Sequence, residues 1–423
     1  MQFIIYTLFR LFGFLISILP YRVIHALGKI TGTVAYYLHR SFRKKALTNL
    51  AIAYGINLSE KKRRKIAKHS FQNLMITCLE FFKLKKSKNN LSEIVKIEGG
   101  QEILDLMEKN QGIIFLSGHQ ANWEVPFLAM SEMHPGIAIG RPINNPWLYR
   151  WVLSVREMNG GKIVMPRQAM RESLKALKEG KFVGIVGDQA FPESSYSYPL
   201  LGTRAWSTTI PALLAYRTNS PIVVGKTRRV SNKYIVESSP PIWPDLTKPR
   251  QEEVVRLMDK AMGYLEKSIQ ENPGQWLWQH DRWKQQPIDH VKRKYRYGFV
   301  LIILPPDPTP FLKILPIFRE IYSRSFLTFF VPPKTEITLP GCEVSTYTTE
   351  KELFVRDYRY QIVLDFYDSA RLRRHYRKLG AFQTLNLKKM ASISQTEGPL
   401  DQIIKRALIK EECLPKDTTS TSH

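Results

Sequence analysis

The sequence predicts an α/β protein. A mixed or mostly parallel sheet covered by helices is expected, with an N-terminal membrane helix and a small C-terminal βαβ layered domain. Three observations carry this. Between about residues 95 and 283, short apolar runs alternate with amphipathic stretches, the pattern of strands buried beneath helices. Met1 to Pro20 is almost wholly apolar, and from Tyr295 the strand–helix alternation begins afresh. The implied divisions are an anchor over 1–22, a main domain over 23–290, a small α/β domain over 291–413 and a polar tail over 414–423, expected to be disordered.

The N-terminal run approaches the roughly 20 residues that span a bilayer. It lacks the basic start and the small-x-small cleavage site of a signal peptide. Arg22, Lys29, Arg40, Arg43, Lys44 and Lys45 all follow it, which places the body of the protein in the cytoplasm. Arg10, in the middle of the run, makes a helix lying in the membrane interface the alternative to a full span. From Val23 to Lys88 the pattern is helical and basic, with clusters at Lys61-Lys62-Arg63-Arg64-Lys65 and at Lys83, Lys85, Lys86 and Lys88. A formal charge of +26 over 423 residues calls for an acidic partner: nucleic acid, anionic lipid or an acidic protein. Beside an apolar segment, each basic residue gains about 1 kcal/mol from anionic lipid. No helix-turn-helix, zinc-finger or RNA-binding signature is present, so nucleic acid is not expected. Cys78, Cys342 and Cys413 lack the paired spacing of a zinc site or a disulfide framework, which fits a reducing compartment.

In the main domain, Gln101–Lys109 reads as a helix and Ile113–Leu116 as a buried strand ended by Ser117-Gly118. His119 follows at the carboxyl end of that strand, where α/β sheets bind their ligands. A helix is expected to begin near Ala121 or Asn122 and to carry Glu124 back toward the imidazole. That makes a general base with an orienting carboxylate; the plainer alternative is a buried histidine and a surface glutamate. Ile137–Ile139 is a strand ending before Arg141, placed to meet a phosphate. A helix over Pro146–Met158, holding Arg156, stops at Asn159-Gly160-Gly161. Lys162–Val164 is a strand, Ala169–Lys178 an amphipathic helix, and Phe182–Gly187 a strand capped by Asp188-Gln189. Gly202-Thr203-Arg204 precedes a helix starting near Ser207-Thr208. Strands at Ile222–Val224 and Tyr234–Val236 and a helix over Gln251–Ile269 lead to the aromatic block Trp276-Leu277-Trp278, expected to wall the site.

Gly118-His119-Gln120-Ala121-Asn122-Trp123-Glu124 resembles the His-x4-Asp/Glu signature of glycerolipid acyltransferases. Its Asn-Trp-Glu form resembles that of the late acyltransferases of bacterial lipid A. The likeness covers roughly Met1 to Lys284. It includes Arg156, the Gly187-Asp188-Gln189 segment, Leu200–Ala205, and the ending from Asn272 to Trp283. The resemblance implies a glycerolipid-acyltransferase-like sheet and acyl transfer from acyl carrier protein to a hydroxyl of a lipid A precursor. The setting it implies is the cytoplasmic face of a bacterial inner membrane. His119 is then the base and Glu124 its partner. Arg156 stabilises the oxyanion, holds Glu124 or meets a phosphate, and Asp188 and Gln189 position the acceptor. A glycine for close approach, a helix N-terminus and an arginine suit a phosphate at Gly202 and Arg204. No cofactor beyond the acyl-carrier co-substrate and no metal are expected. Acylation of another glycolipid or a lysophospholipid is the nearest alternative.

Beyond residue 291, strands at Phe299–Leu304, Phe326–Val331, Ile362–Phe366 and Leu385–Leu387 interleave with helices over Phe311–Tyr322, Ser369–Leu379 and Leu400–Glu412. The pattern is that of half a two-domain glycosyltransferase, which raises a sugar transferase as a second function class. No Gly-x-Gly-x-x-Gly loop follows the first strand. The unit is therefore expected to be a degenerate or a docking module, its basic helix (Arg371, Arg373, Arg374, Arg377 and Lys378) suited to touch an acidic carrier protein or a membrane.

Overall fold

The computed structural model describes residues 1–88, 90–285 and 291–414. They form two compact units, Met1–Arg43 with Glu60–Arg282, and Lys44–Ser59 with the chain from Trp283. The expected tail lies, from residue 415, outside the described residues.

The first four helices are α1 (Gln2–Ile18), α2 (Tyr21–Leu38), α3 (Arg40–Tyr54) and α4 (Glu60–Leu84). Gly28 and Gly32 lie one turn apart on α2. A Cβ at either would collide with the α4 backbone at Ile76 or Gln72, so the two glycines set how closely these helices cross. The spanning helix expected over 1–22 is not found. The helix ends at Ile18, before Pro20, so that α1 has 17 residues, and no helix among the described residues is long and apolar enough to cross a membrane. Instead, α1 lays one face on its own unit. Phe9 packs against Phe82 at 4.8 Å and Trp151 at 5.5 Å, and the Arg10 guanidinium sits 5.1 Å over the Trp151 ring. The opposite face leaves Ile4, Leu8, Leu11, Phe14 and Leu15 more than half exposed.

From residue 95 the chain alternates β1 (Val95–Glu98), α5 (Gln101–Glu108), β2 (Ile113–Ser117), α6 (Glu124–Met133), β3 (Gly136–Ile139), α7 (Pro146–Arg156), β4 (Lys162–Val164), α8 (Ala169–Lys178) and β5 (Phe182–Val186). A two-residue hairpin of β6 (Ser197–Tyr198) and β7 (Ala205–Trp206) precedes α9 (Ile210–Thr218), β8 (Ile222–Val230), β9 (Lys233–Ser238) and α10 (Arg250–Glu271). The seven-stranded sheet runs β1-β9-β8-β2-β5-β3-β4, parallel except where β8 and β9 form a hairpin. Its central strand β2 buries Ile113, Ile114 and Leu116 completely, as a strand covered on both faces should. Register then decides what meets at the carboxyl edge. Ser117 pairs with Val186, so the residues two further along, His119 and Asp188, leave the sheet side by side.

In the second unit, β10 (Phe299–Ile303), α11 (Thr309–Leu312), α12 (Leu315–Ile321), β11 (Phe326–Val331), β12 (Cys342–Thr346), β13 (Ile362–Asp365), α13 (Ala370–Leu379), β14 (Gln383–Asn386), α14 (Leu387–Ser394) and α15 (Leu400–Leu408) follow in order. The five strands are all parallel in the order β12-β11-β10-β13-β14. Sheets of this order take ligands at the switch point, here between β10 and β13. Beyond the carboxyl ends of these strands, Phe311 packs at a tilt against Phe366, 4.7 Å between ring centres, and the Tyr347 hydroxyl donates to the Leu304 carbonyl at 2.7 Å.

Candidate active site

His119 sits in a tight turn between β2 and α6 that is fixed from every side. Its carbonyl accepts from Leu277 N at 3.1 Å, and Ala121 N donates to the Gln275 carbonyl at 2.8 Å. The Ala121 carbonyl accepts from Asn73 Nδ2 at 3.0 Å and Thr77 Oγ1 at 2.7 Å, both on α4. These bonds hold Ala121 at a φ of +46°, a conformation a non-glycine residue keeps only when its surroundings impose it. Just before it, a Cβ on Gly118 would fall 3.0 Å from Asp188 Oδ2 and 2.9 Å from Leu265. Glycine is what lets the turn approach Asp188.

The carboxylate that holds the imidazole is Asp188, not Glu124. His119 Nδ1 lies 2.6 Å from Asp188 Oδ1, and His119 N donates to Oδ2 at 2.7 Å. The Trp276 indole N–H adds a third bond to Oδ2, also 2.7 Å. An ionised carboxylate only accepts, so Nδ1 carries the proton and the neutral ring presents a bare Nε2. That nitrogen has the Gln189 amide 3.4 Å away, and the Trp123 ring meets the imidazole edge-on at 5.0 Å.

Burial opposes charge on both partners, yet each is charged more readily than usual. For Asp188, the His119 charge and its hydrogen bonds overcome burial and bring the carboxyl down to about 2. For His119, burial is outweighed by the charge and hydrogen bond of Asp188, with Glu124 adding its field, and the pKa is raised. The His119 side chain stays 16% exposed while Asp188 keeps 3%, so the ring is the reachable member of the pair.

Glu124 is drawn elsewhere because α6 begins at Glu124 itself rather than two or three residues earlier. Asn122 Oδ1 accepts the Glu124 N–H at 3.2 Å. The Glu124 carboxylate takes both arms of Arg156, at the end of α7, through Nε at 2.7 Å and Nη2 at 2.6 Å. Of the three uses expected for Arg156, holding Glu124 is the one the geometry displays.

His119, Glu124 and Arg156 line one cleft of about 470 Å³. Its walls are apolar, from Trp123, Phe127, Ile139, Ile163, Ile185 and Phe191, and Arg141 and Gln189 also border it. Asp188, expected to position an acceptor, lies behind the imidazole and is not among the lining residues. Neither are Gly202 and Arg204, so the phosphate role foreseen for them has no support from this cleft. Both are exposed, and the Arg204 guanidinium rests 5.5 Å over the Trp206 ring. Asn73, Thr77, Gln275 and the hydrogen-bonding part of Trp276 went unforeseen. For Trp276 the aromatic block was a signal, read as packing alone.

The sequence profile of the family described as bacterial lipid A biosynthesis acyltransferase matches residues 2–285. The chain is 27% identical to the lipid A biosynthesis lauroyltransferase of Escherichia coli (strain K12), over 64% of this chain and 88% of that protein. It is 25% identical to the lipid A biosynthesis palmitoleoyltransferase of the same strain, with the same coverage. A lipid A biosynthesis acyltransferase of Haemophilus influenzae is 23% identical over 66% of this chain and 89% of its own length. With well over half of its length matched by the family, and with the His119 turn, its carboxylate and the apolar cleft inside the matched region, this chain belongs to the bacterial lipid A biosynthesis acyltransferases.

Proposed function

We propose that the protein transfers a fatty acyl chain from acyl carrier protein to a hydroxyl of a lipid A precursor, with His119 as the general base. One observation carries the reading: an imidazole held through Nδ1 by a buried carboxylate lines an apolar cleft. His119 Nε2 takes the proton of the acceptor hydroxyl as its oxygen attacks the thioester carbonyl. A tetrahedral oxyanion forms and collapses, the C–S bond breaks, and the imidazolium returns its proton to the departing carrier thiolate. Asp188 stabilises the imidazolium through this cycle. Gln189, beside Nε2, is placed to hold the hydroxyl. Arg156, fixed by Glu124 on the same cleft, supplies positive charge to the oxyanion. The thioester is already activated, so no further cofactor or acyl-enzyme enters the reading. The apolar walls suit an alkyl chain, and exposed Arg141 suits a phosphate of the acceptor.

Both substrates are anionic, which matches the net charge of +26. The exposed apolar face of α1, with basic clusters following it, supports an amphipathic helix lying in the surface of the inner membrane with the catalytic unit on the cytoplasmic side. The test is acyl transfer to a lipid A precursor by purified protein. His119→Ala should lower kcat by about 10²–10⁴-fold. Undiminished turnover would remove the base assignment. Mass spectrometry of lipid A from cells lacking and regaining the protein tests the product.

A further inference from the structure

Glu80 lies on α4 within the uncharged run Ile76-Thr77-Cys78-Leu79 and Phe81-Phe82, and is completely buried. A carboxylate there is tolerable only when every lone pair is answered. It is answered from four elements. His25 Nε2 on α2 lies 2.6 Å from Oε1. Asn122 Nδ2 in the catalytic turn donates to Oε2 at 3.0 Å, Arg229 Nη2 on β8 at 3.2 Å, and the Tyr234 hydroxyl on β9 also donates to it. Arg229 also donates to Asn73 and Thr77, the two side chains that hold the Ala121 carbonyl.

Chemistry makes this more than a buried ion pair. A carboxylate can only accept, so it draws the NH₂ of the Asn122 amide to itself and leaves the amide oxygen pointing the other way. That oxygen receives the Glu124 N–H at the start of α6. One carboxylate therefore fixes which way Asn122 faces, and through it where Trp123 and Glu124 leave the turn. We propose that Glu80 is a positioning residue for the His119 turn, acting through the Asn122 amide. The proposal rests on the reading of His119 as the reacting base.

The test compares Glu80→Gln, Asn122→Ala and the pair in the full chain. The first readout is kcat and KM for acyl transfer. The second needs no substrate: the rate at which diethyl pyrocarbonate modifies the His119 peptide, with exposed His39 as the internal reference. Each single variant should lower kcat at least about tenfold with KM within about twofold. Each should change His119 modification at least about threefold while His39 keeps its rate. The pair should be no slower than the slower single, because both act through one contact. Should Glu80→Gln fail to fold, Asn122→Ala decides on the same readouts, since it leaves Glu80 with His25, Arg229 and Tyr234. An unchanged kcat and unchanged His119 modification in Asn122→Ala overturn the proposal. So do losses that multiply in the pair in step with a falling melting temperature. If the wild type transfers no acyl chain yet His119 modification still responds, the positioning survives and the catalytic reading falls.

Discussion

His119 and Asp188 stand 69 positions apart, yet each follows its strand by two residues, and the β2–β5 register makes them partners. The pair has a definite acid–base signature. A base must be neutral to work, and the folded pKa of His119 is raised above its ordinary 6.5. The rate should therefore rise with pH through a value above 6.5. Asp188→Asn removes the charge that holds the proton, so the rising limb should move to lower pH while kcat drops by about 10²–10⁴-fold. A limb that stays in place would dissociate Asp188 from the ionisation that limits the rate. The sign for stability is opposite. Asp188 is depressed from 3.8 to about 2, so its contribution is present above 3.8 and lost as pH falls through about 2. Acid unfolding of the asparagine variant should lose that segment of its pH dependence. His119 itself was legible in the sequence, because four apolar residues and a Ser-Gly break mark a strand end. Its partner was not. Nearness along the chain favoured Glu124, whereas register, which no single segment encodes, selects Asp188.

Elements that bury both faces announced themselves. The apolar runs of β2, β5, β10 and β11 leave little choice of period or length. Elements with a wet face were harder. The strand expected to end at Val224 runs on as β8 to Val230 through Lys226, Arg228 and Arg229, whose charges are met by Glu237, Glu98 and Glu80. The edge strand β12 is mostly exposed and gave no apolar signal. The segment from Gln275 to Leu277 is the least strand-like part of the site, yet it clamps the His119 turn through two backbone bonds and reaches Asp188 through one indole N–H. Removing that N–H with Trp276→Phe keeps an aromatic ring, though a smaller one, while leaving a buried carboxylate short of a donor. Denaturant unfolding should show a loss of about 1–3 kcal/mol. Transfer assays should show a lower kcat at a nearly constant KM. A variant as stable and as active as the wild type would reduce the indole to packing.

At the scale of the whole molecule, the sequence-based picture of anchor, main domain and appended domain undervalued two things. The apolar N-terminus forms α1, whose Arg10 is accounted for by the Trp151 ring and whose outer face is exposed. Replacing Leu8, Leu11 and Leu15 with Gln should weaken flotation with anionic vesicles while the circular dichroism of the rest stays unchanged; equal flotation would remove α1 from membrane binding. The second concerns residues 44–59, which the periodicity assigned to the basic helical region before the main sheet. They belong to the second unit instead. Ala46, Leu47, Leu50 and Ala51 of α3 are buried there, and Lys44 Nζ donates to the Ala381 carbonyl at 2.8 Å. The second unit is thus completed by chain from near the N-terminus, although its strands all lie beyond the family match ending at residue 285. Cutting the protein after residue 290 would strip the cover from those four apolar side chains, at roughly 1.5–3 kcal/mol for each fully buried leucine. Such a truncation should accumulate in the insoluble fraction. Adding Leu47→Lys and Leu50→Lys to it should restore solubility, because the newly wetted face then carries charge. Were the plain truncation soluble, monomeric and as stable as the full chain, α3 would not depend on the second unit for its packing.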